Sequence, residues 1–307
     1  MSILVFGHKN PDTDTICSAI AYAELKGKLG KDVKAVRLGE VNEETKFVLD
    51  YFKVEKPELI ESVSGKEIML VDHNERTQTA DGFEEAKVLE LVDHHRISNF
   101  NVDEPLYVRM EPVGCTATII LKLFKENNLL PAPTTAGLML SAIVSDTLLF
   151  KSPTCTECDV KAGKELAEIA GVNVEEYGLE MLKAGTALGG KSESELINMD
   201  MKIFEVDGSK IGVAQVNTVN EAELLERKEK LLVEIDNIIN KEGLKFFIFA
   251  ITNILSNDST GIVAGDGNAV IEKAFNEKID NNLIALKGVV SRKKQIIPPL
   301  TKAIQEA

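Results

Sequence analysis

Through the first half of the chain, short apolar runs of strand length alternate with longer stretches of helical period. Strands are expected over 3–6, 33–38, 68–71 and 88–92. Helices are expected over 15–29, 116–126, 134–145, 160–170 and 175–184, with a helical or irregular segment over 43–51. Strand–helix alternation of this kind predicts an α/β fold: an N-terminal, mostly parallel sheet with helices on both faces. Residues 185–194 are small, polar and Gly-rich, and past them the pattern changes. Strands over 201–206 and 210–216 flank Asp207-Gly208, a strong hairpin signal. A charged helix is expected over 221–240, strands over 245–251 and 260–263, a helix over 268–275, and a strand over 286–290 leading into Ser291-Arg292-Lys293-Lys294. This predicts a smaller, mixed α/β C-terminal domain. The expected organisation is an N-terminal domain over 1–186, a hinge linker over 187–194 and a C-terminal domain over 195–307.

Three of the predicted strands end in acids or imidazoles. The first leads into His8, Asp12 and Asp14, the third ends at Asp72, and the fourth ends at Asp93, His94 and His95. In an open α/β sheet the ligand site lies beyond the carboxyl ends of the strands, so these groups converge on one edge. All four histidines of the chain, His8, His73, His94 and His95, fall in the first 95 residues, each within four residues of an aspartate. Imidazole with hard carboxylate ligands suits Mn²⁺, Co²⁺, Fe²⁺ or Zn²⁺ better than an all-oxygen Mg²⁺ site. Asp72, at a strand end, has one oxygen for each of two ions. Two ions about 3.5–4 Å apart form a clamp that activates water and neutralises a phosphoryl group. The residues therefore point to dinuclear hydrolysis of a phosphoester or phosphoanhydride. Asp146 follows an apolar helix, where an unpartnered carboxylate is costly, and either a metal or a cap would answer that cost. In the second half, Lys202 and the Arg292-Lys293-Lys294 cluster offer cations for a compact polyanion in a cleft between the domains.

Composition narrows the partners. The 307 residues carry 35 Lys+Arg against 49 Asp+Glu, a net charge of -14, with 44% apolar residues. That excludes a disordered chain or a fibre and weighs against nucleic acid, whose binding needs clustered positive charge. No run of about 20 apolar residues is present, and the opening MSILVFGHKNPD has no leader pattern. No membrane role and a cytoplasmic location are expected. Cys155 and Cys158 have CxxC spacing without a second pair, and Cys17 and Cys115 read as ordinary semi-buried thiols.

HKNPDTD at 8–14, DHN at 72–74 and DHH at 93–95 resemble the DHH phosphoesterase superfamily. With SDT at 145–147, FKSPTCTE at 150–157 and SRKKQ at 291–295, the chain resembles the manganese-dependent, family II inorganic pyrophosphatases over nearly its whole length. The resemblance implies hydrolysis of inorganic pyrophosphate to two phosphates by attack of hydroxide from metal-activated water. It implies two Mn²⁺ per subunit, with Co²⁺ also accepted, and Mg²⁺ arriving with the substrate. His8 and Asp12 would hold one metal, Asp14, His94 and Asp146 the other, and Asp72 would bridge them. His95 resembles the substrate-facing histidine, a proton donor to the departing phosphate. Lys202, Arg292 and Lys293 match the pyrophosphate clamp, and His73 and Asn74 would support the metal shell. A homodimer through the N-terminal domain is implied as well. The rival readings are a short-chain exopolyphosphatase or another phosphodiesterase of the superfamily, and a non-catalytic metal- or phosphate-binding regulator.

Overall fold

A computed structural model describes residues 2–186, 188 and 190–306; Ala187 and Gly189 of the expected hinge lie outside the described residues. The chain divides into two compact units, Met1–Gly185 and Thr186–Ala307.

The first unit runs β1 (Ile3–Phe6), α1 (Thr13–Lys28), β2 (Val33–Arg37), α2 (Glu43–Tyr51), β3 (Glu58–Leu59), β4 (Glu67–Val71), β5 (Lys87–Asp93) and β6 (Tyr107–Met110). It closes with α3 (Thr116–Glu126), α4 (Pro133–Thr147), α5 (Glu157–Ala170) and α6 (Val174–Gly185). Among the described residues the six strands form one sheet in the order β3-β2-β1-β4-β5-β6, every pair parallel. The chain thus moves outward from β1 in one direction, returns, and moves outward from β4 in the other. The switch point lies between β1 and β4, where a doubly wound sheet opens a crevice. Strands buried on both faces need continuous apolar sequence rather than alternation, as Ile3–Phe6 and residues 68–71 have. Ile68, Met69, Leu70 and Val71 are fully excluded from solvent, each side chain contributing roughly 1.5–3 kcal/mol of burial. The α-helices α1 and α3 pack on the sheet. Leu4, Phe6, Ile68 and Leu70 form a separate cluster with Phe83 and Phe100, which the 3₁₀ turns Arg76–Gln78 and Phe83–Glu85 help to close.

Helix α1 begins two residues earlier than its apolar period suggests because Asp12 caps it, its Oδ1 accepting from the Thr15 N–H at 2.9 Å. Asp14 in the first turn and Lys26 and Lys28 in the last complement the helix dipole. Strands β3 and β6 had no counterpart in the sequence reading. Both lie at sheet edges, and β6 exposes Tyr107 and Val108.

The second unit comprises α7 (Glu193–Asn198), β7 (Met201–Val206), β8 (Ser209–Thr218), α8 (Glu221–Leu225), α9 (Lys228–Glu242), β9 (Phe246–Asn253), β10 (Asp258–Gly265), α10 (Asn268–Phe275), β11 (Leu283–Leu286) and α11 (Ile297–Gln305). Among the described residues its sheet has the order β11-β10-β9-β8-β7, with only β8 and β9 parallel. The β7–β8 hairpin turns at Asp207 (φ 48) and Gly208 (φ 73), the paired positive φ that its sequence promised. The expected helix over 221–240 is two helices broken at Glu226-Arg227, and the expected strand over 286–290 lies earlier, as β11. Residues 192–194 of the expected linker already form the capped start of α7, where Ser192 and Glu195 exchange side-chain and backbone hydrogen bonds.

Candidate metal centre

The carboxyl ends of β1, β4 and β5, the start of α1 and the end of α4 bring the predicted ligands together. His8 Nε2 lies 3.3 Å from Asp12 Oδ2 and 3.6 Å from Asp72 Oδ2. His94 Nε2 lies 3.4 Å from Asp72 Oδ1, 3.7 Å from Asp146 Oδ2 and 4.0 Å from Asp14 Oδ2. The two oxygens of Asp72 therefore address two different donor groups. Among the described residues there are three sets whose donor atoms lie within 4.8 Å of one another: His8, Asp12 and Asp72; Asp72, His94 and His95; and Asp14, Cys115 and Asp146.

Asp72 is presented by a strained backbone, at φ 58 directly after β4. Its side chain is fixed by Thr15 Oγ1, which donates to Oδ2 at 2.7 Å, and Thr116 Oγ1, which donates to Oδ1 at 3.2 Å. Asp14 accepts from Ser18 Oγ at 2.5 Å and from the Thr116 N–H at 2.8 Å. His94 Nδ1 donates to the Val113 carbonyl at 3.1 Å, which turns its Nε2 toward the carboxylates. That outer hydrogen bond sets the tautomer a metal ligand needs.

Carboxylates outnumber imidazoles in the centre, and each group shifts its neighbours. Burial, reinforced by the Asp14 and Asp12 charges, pushes the Asp72 carboxyl up to about 7. Asp146 is likewise pushed well up by burial and by Asp14, Asp72 and Asp12. Burial acts against a charged His94, but its hydrogen bond to Asp72 and the Asp14 charge win and raise it to about 9. Carboxylates held this close and dry call for a cation. Imidazole nitrogens mixed with carboxylate oxygens, oriented by hydroxyl and backbone donors, fit a divalent first-row ion.

The remaining predicted residues fall in three places. His95 is about half exposed; Asp93 Oδ1 accepts from its Nδ1 at 2.9 Å and from its backbone N–H at 3.0 Å. Asn74 Nδ2 donates to Asp93 Oδ2 at 2.5 Å and to the Arg96 carbonyl, while Asn74 Oδ1 accepts from the Ser98 N–H at 2.6 Å. Asn74 thus ties the loop carrying His94 and His95 to the end of β4. His73 is buried, donates from Nδ1 to the Val71 carbonyl, and is pushed down to about 4 by burial, which keeps it neutral. A cavity of about 310 Å³ adjoins the centre, with His8, Asp72, His95, Asn10, Gln78 and Arg96 in its lining.

Lys202, Arg292 and Lys293 belong to the second unit. Lys202 and Lys293 are exposed. Arg292 Nη1 pairs with Asp200 Oδ1 at 2.9 Å, and its backbone N–H donates to Gln215 Oε1 at 2.9 Å. Arg292 starts a π-helical turn, Arg292–Ile296.

Sequence reasoning missed the groups that hold the ligands: Thr15, Ser18 and Thr116, the structural use of Asp93, and Glu44. Glu44 Oε1 accepts from Thr13 Oγ1 at 2.7 Å and from Ser145 Oγ at 2.5 Å, linking the neighbours of Asp12, Asp14 and Asp146. Cys17 and Cys115 are fully buried rather than semi-buried, since Cys17 is on the buried face of α1 and Cys115 is the N-cap of α3. Burial pushes both thiols well up.

Residues 2–143 match the model of the DHH family, N-terminal domain, and residues 179–303 that of the DHHA2 domain. A protein of an Exiguobacterium species named "Probable manganese-dependent inorganic pyrophosphatase" is 60% identical over 304 residues, 98% of each chain. One of the same name from Bacillus cereus is 56% identical over 305 residues, 99% of each. A crystal structure from Methanococcus jannaschii, assigned to the family II inorganic pyrophosphatases, is 43% identical with a TM-score of 0.64, covering 99% of this chain and 100% of its own. An exopolyphosphatase-related protein from Bacteroides fragilis shares the fold at 14% identity and a TM-score of 0.51.

Proposed function

The chain belongs to the manganese-dependent, DHH-type inorganic pyrophosphatases, and on that premise we propose that it hydrolyses inorganic pyrophosphate to two phosphates at the centre built around Asp72. The observation that carries this reading is the division of the Asp72 carboxylate, Oδ2 toward His8 and Oδ1 toward His94. His8 and Asp12 would hold one Mn²⁺ and Asp14, His94 and Asp146 a second, with Asp72 shared; Co²⁺ suits the same donors. Bound there, the cations supply charge that neutralises the diphosphate and acidifies the attacking water.

The protein's own groups do the rest. Substrate accompanied by Mg²⁺ is gripped by Lys202, Arg292 and Lys293, whose cations match phosphate oxygens in charge and, for arginine, in geometry. His95, with Nδ1 engaged by Asp93 and its pKa raised by that hydrogen bond, donates the Nε2 proton to the departing phosphate. Water attacks one phosphorus in line and the other phosphate leaves, with no covalent protein intermediate. His73 and Asn74 act behind the ligands.

A homodimer through the first unit is supported by the edge strand β6, whose exposed Tyr107 and Val108 flank an open row of backbone groups. Four free cysteines are in keeping with a reducing, cytoplasmic setting. The net charge of -14 speaks against nucleic acid, and among the described residues no helix is long and apolar enough to cross a membrane.

The test is phosphate release by metal-stripped protein reconstituted with Mn²⁺ or Mg²⁺, given pyrophosphate, tripolyphosphate or a dinucleotide. Mn²⁺-activated turnover of pyrophosphate well above the other two is expected. Cleavage of tripolyphosphate or the dinucleotide with pyrophosphate untouched would overturn the substrate assignment.

A further inference from the structure

Asp159, in the first turn of α5, is fully buried, and among the described residues no ion pair reaches it. Hydrogen-bond donors take the place of a counter-charge. Its Oδ2 accepts from the Gly114 N–H at 2.8 Å, the Thr156 N–H at 2.8 Å and Thr156 Oγ1 at 2.6 Å; its Oδ1 accepts from Thr118 Oγ1 at 2.7 Å. The Thr156 bonds cap α5 itself. The other two reach back 45 and 41 residues, to the turn before α3 and to α3. A cap is worth about 1 kcal/mol, whereas drying a carboxylate costs several. Capping therefore does not account for a charge buried here.

The turn that Asp159 holds is the one that arranges the centre. Val113, next to Gly114, presents the carbonyl that accepts from His94 Nδ1. Just beyond it, Thr116 supplies an N–H to Asp14 and a hydroxyl to Asp72. The approach is as close as a backbone allows: a Cβ at Gly114 would stand 2.9 Å from Asp159 Oδ2 and 2.9 Å from Thr147 Cγ2. Asp159 itself contacts none of the ligands. Part of the CTE stretch, which the proposed chemistry left without a role, supplies its cap through Thr156.

We infer that Asp159 is a positioning residue of the metal centre: by clamping Gly114 and Thr118 it sets the His94 imidazole and the donors to Asp14 and Asp72. This rests on the two-cation reading of the centre. Removing a supporting group behind a metal ligand costs roughly 10–100-fold in metal affinity. Asp159 supports the group that holds His94 and the donor to Asp72 Oδ1, the oxygen on the His94 side, and supports neither His8 nor Asp72 Oδ2, which Thr15 holds, so the loss should be selective.

The experiment titrates metal-stripped wild type, Asp159→Ala and Asp159→Asn with Mn²⁺ by calorimetry, with bound Mn²⁺ followed by electron paramagnetic resonance. Wild type is expected to bind two ions. Asp159→Ala should weaken one of them by about 10–100-fold and leave the other nearly unchanged. Asp159→Asn should recover most of the loss, since its amide oxygen can still accept from Gly114 and Thr156 while its amide nitrogen turns to the Thr118 hydroxyl. A merely structural residue would lower the melting temperature without separating the two ions. Two wild-type affinities in Asp159→Ala, or equal weakening of both, overturns the inference. Failure of wild type itself to bind two ions overturns the reading beneath it instead. Should Asp159→Ala not fold, Thr118→Val, which removes one donor, decides by the same criterion: selective weakening supports the clamp and unchanged binding refutes it.

Discussion

The two units bury charge very differently. The buried carboxylates among the described residues, Asp14, Asp72, Glu90, Asp93 and Asp159, all lie in the first unit. Among the described residues the second unit buries Thr218, Lys228, Thr252 and Ser259 and no acid. Its middle strand β9 runs Phe246 to Ile251 without a polar break, every side chain fully buried. One unit spends stability on chemistry, and the other is close to an ideal packed sheet. A buried carboxylate costs several kcal/mol unless it is compensated. The gathering of Asp14, Asp72 and Asp93 where the strands β1, β4 and β5 end therefore locates the function without reference to any relative.

Substitutions that respect this contrast can break it. The largest effect is expected from Asp72→Asn, which keeps the shape but removes the charge facing both donor groups. Turnover should fall by roughly 10²–10³-fold or more, and calorimetry should show both Mn²⁺ affinities reduced. Metal-free Asp72→Asn should melt no lower than metal-free wild type, because a crowded charge is gone. Two tightly bound ions with normal turnover would sink the shared-carboxylate assignment.

The mirror-image experiment is Phe247→Ala in the second unit. Phe247 is fully buried against Gly212, where even a Cβ would come 2.2 Å from the ring. A loss of about 3–5 kcal/mol in denaturant unfolding is expected, with Mn²⁺ stoichiometry of the folded protein unchanged. Altered metal binding would show that the two units are not independent in this respect.

Arg292→Ala and Lys293→Ala test the phosphate clamp proposed for the second unit. Losing a charge-assisted hydrogen bond of about 1.5–3 kcal/mol corresponds to roughly 10–100-fold in kcat/KM, again with metal binding intact. For Arg292 the variant also releases Asp200, so Asp200→Asn is the control.

The smallest effect concerns Glu90, a buried acid remote from the donors. It accepts from Tyr22, pairs with Lys26 at 2.5 Å and with Lys31 at 2.9 Å. Burial alone would raise its pKa, but those partners outweigh it and hold the carboxyl below its ordinary value. A depressed folded pKa contributes stability that is present above the unfolded value and lost as pH falls through the folded one. Glu90→Gln should therefore cost about 1–2 kcal/mol at neutral pH, discounted for the half-exposed Lys31. The gap to wild type should close below pH ~4 in thermal melts; a gap that stays constant with pH would refute the ion-pair account.

Much of the centre was legible because strand ends punctuate the sequence. Apolar runs stop at His8, Asp72 and Asp93-His94-His95, and a parallel sheet places such endings side by side. What escaped was set by tertiary contact. Thr15, Thr116 and Asp159 look like helix-start residues, and nothing local distinguishes a threonine that caps from one that also donates to a carboxylate 57 or 44 positions away. The edge strands escaped for the opposite reason: β3 is two residues long, and β6 leaves Tyr107 and Val108 in solvent, so neither carries a core-facing apolar run. The break at Glu226-Arg227 has no glycine or proline to announce it.

Asp72 also narrows the paths open to variation. Its φ of 58 lies in the left-handed region, which asparagine and aspartate visit far more readily than longer side chains. Glutamate would preserve the carboxylate and offend the backbone; asparagine would suit the backbone and surrender the charge; glycine would relax the chain and leave nothing to bind. Each single replacement fails one of two independent demands, so any lineage that retained the chemistry would have been confined to aspartate at this one position, however freely the surrounding sequence drifted.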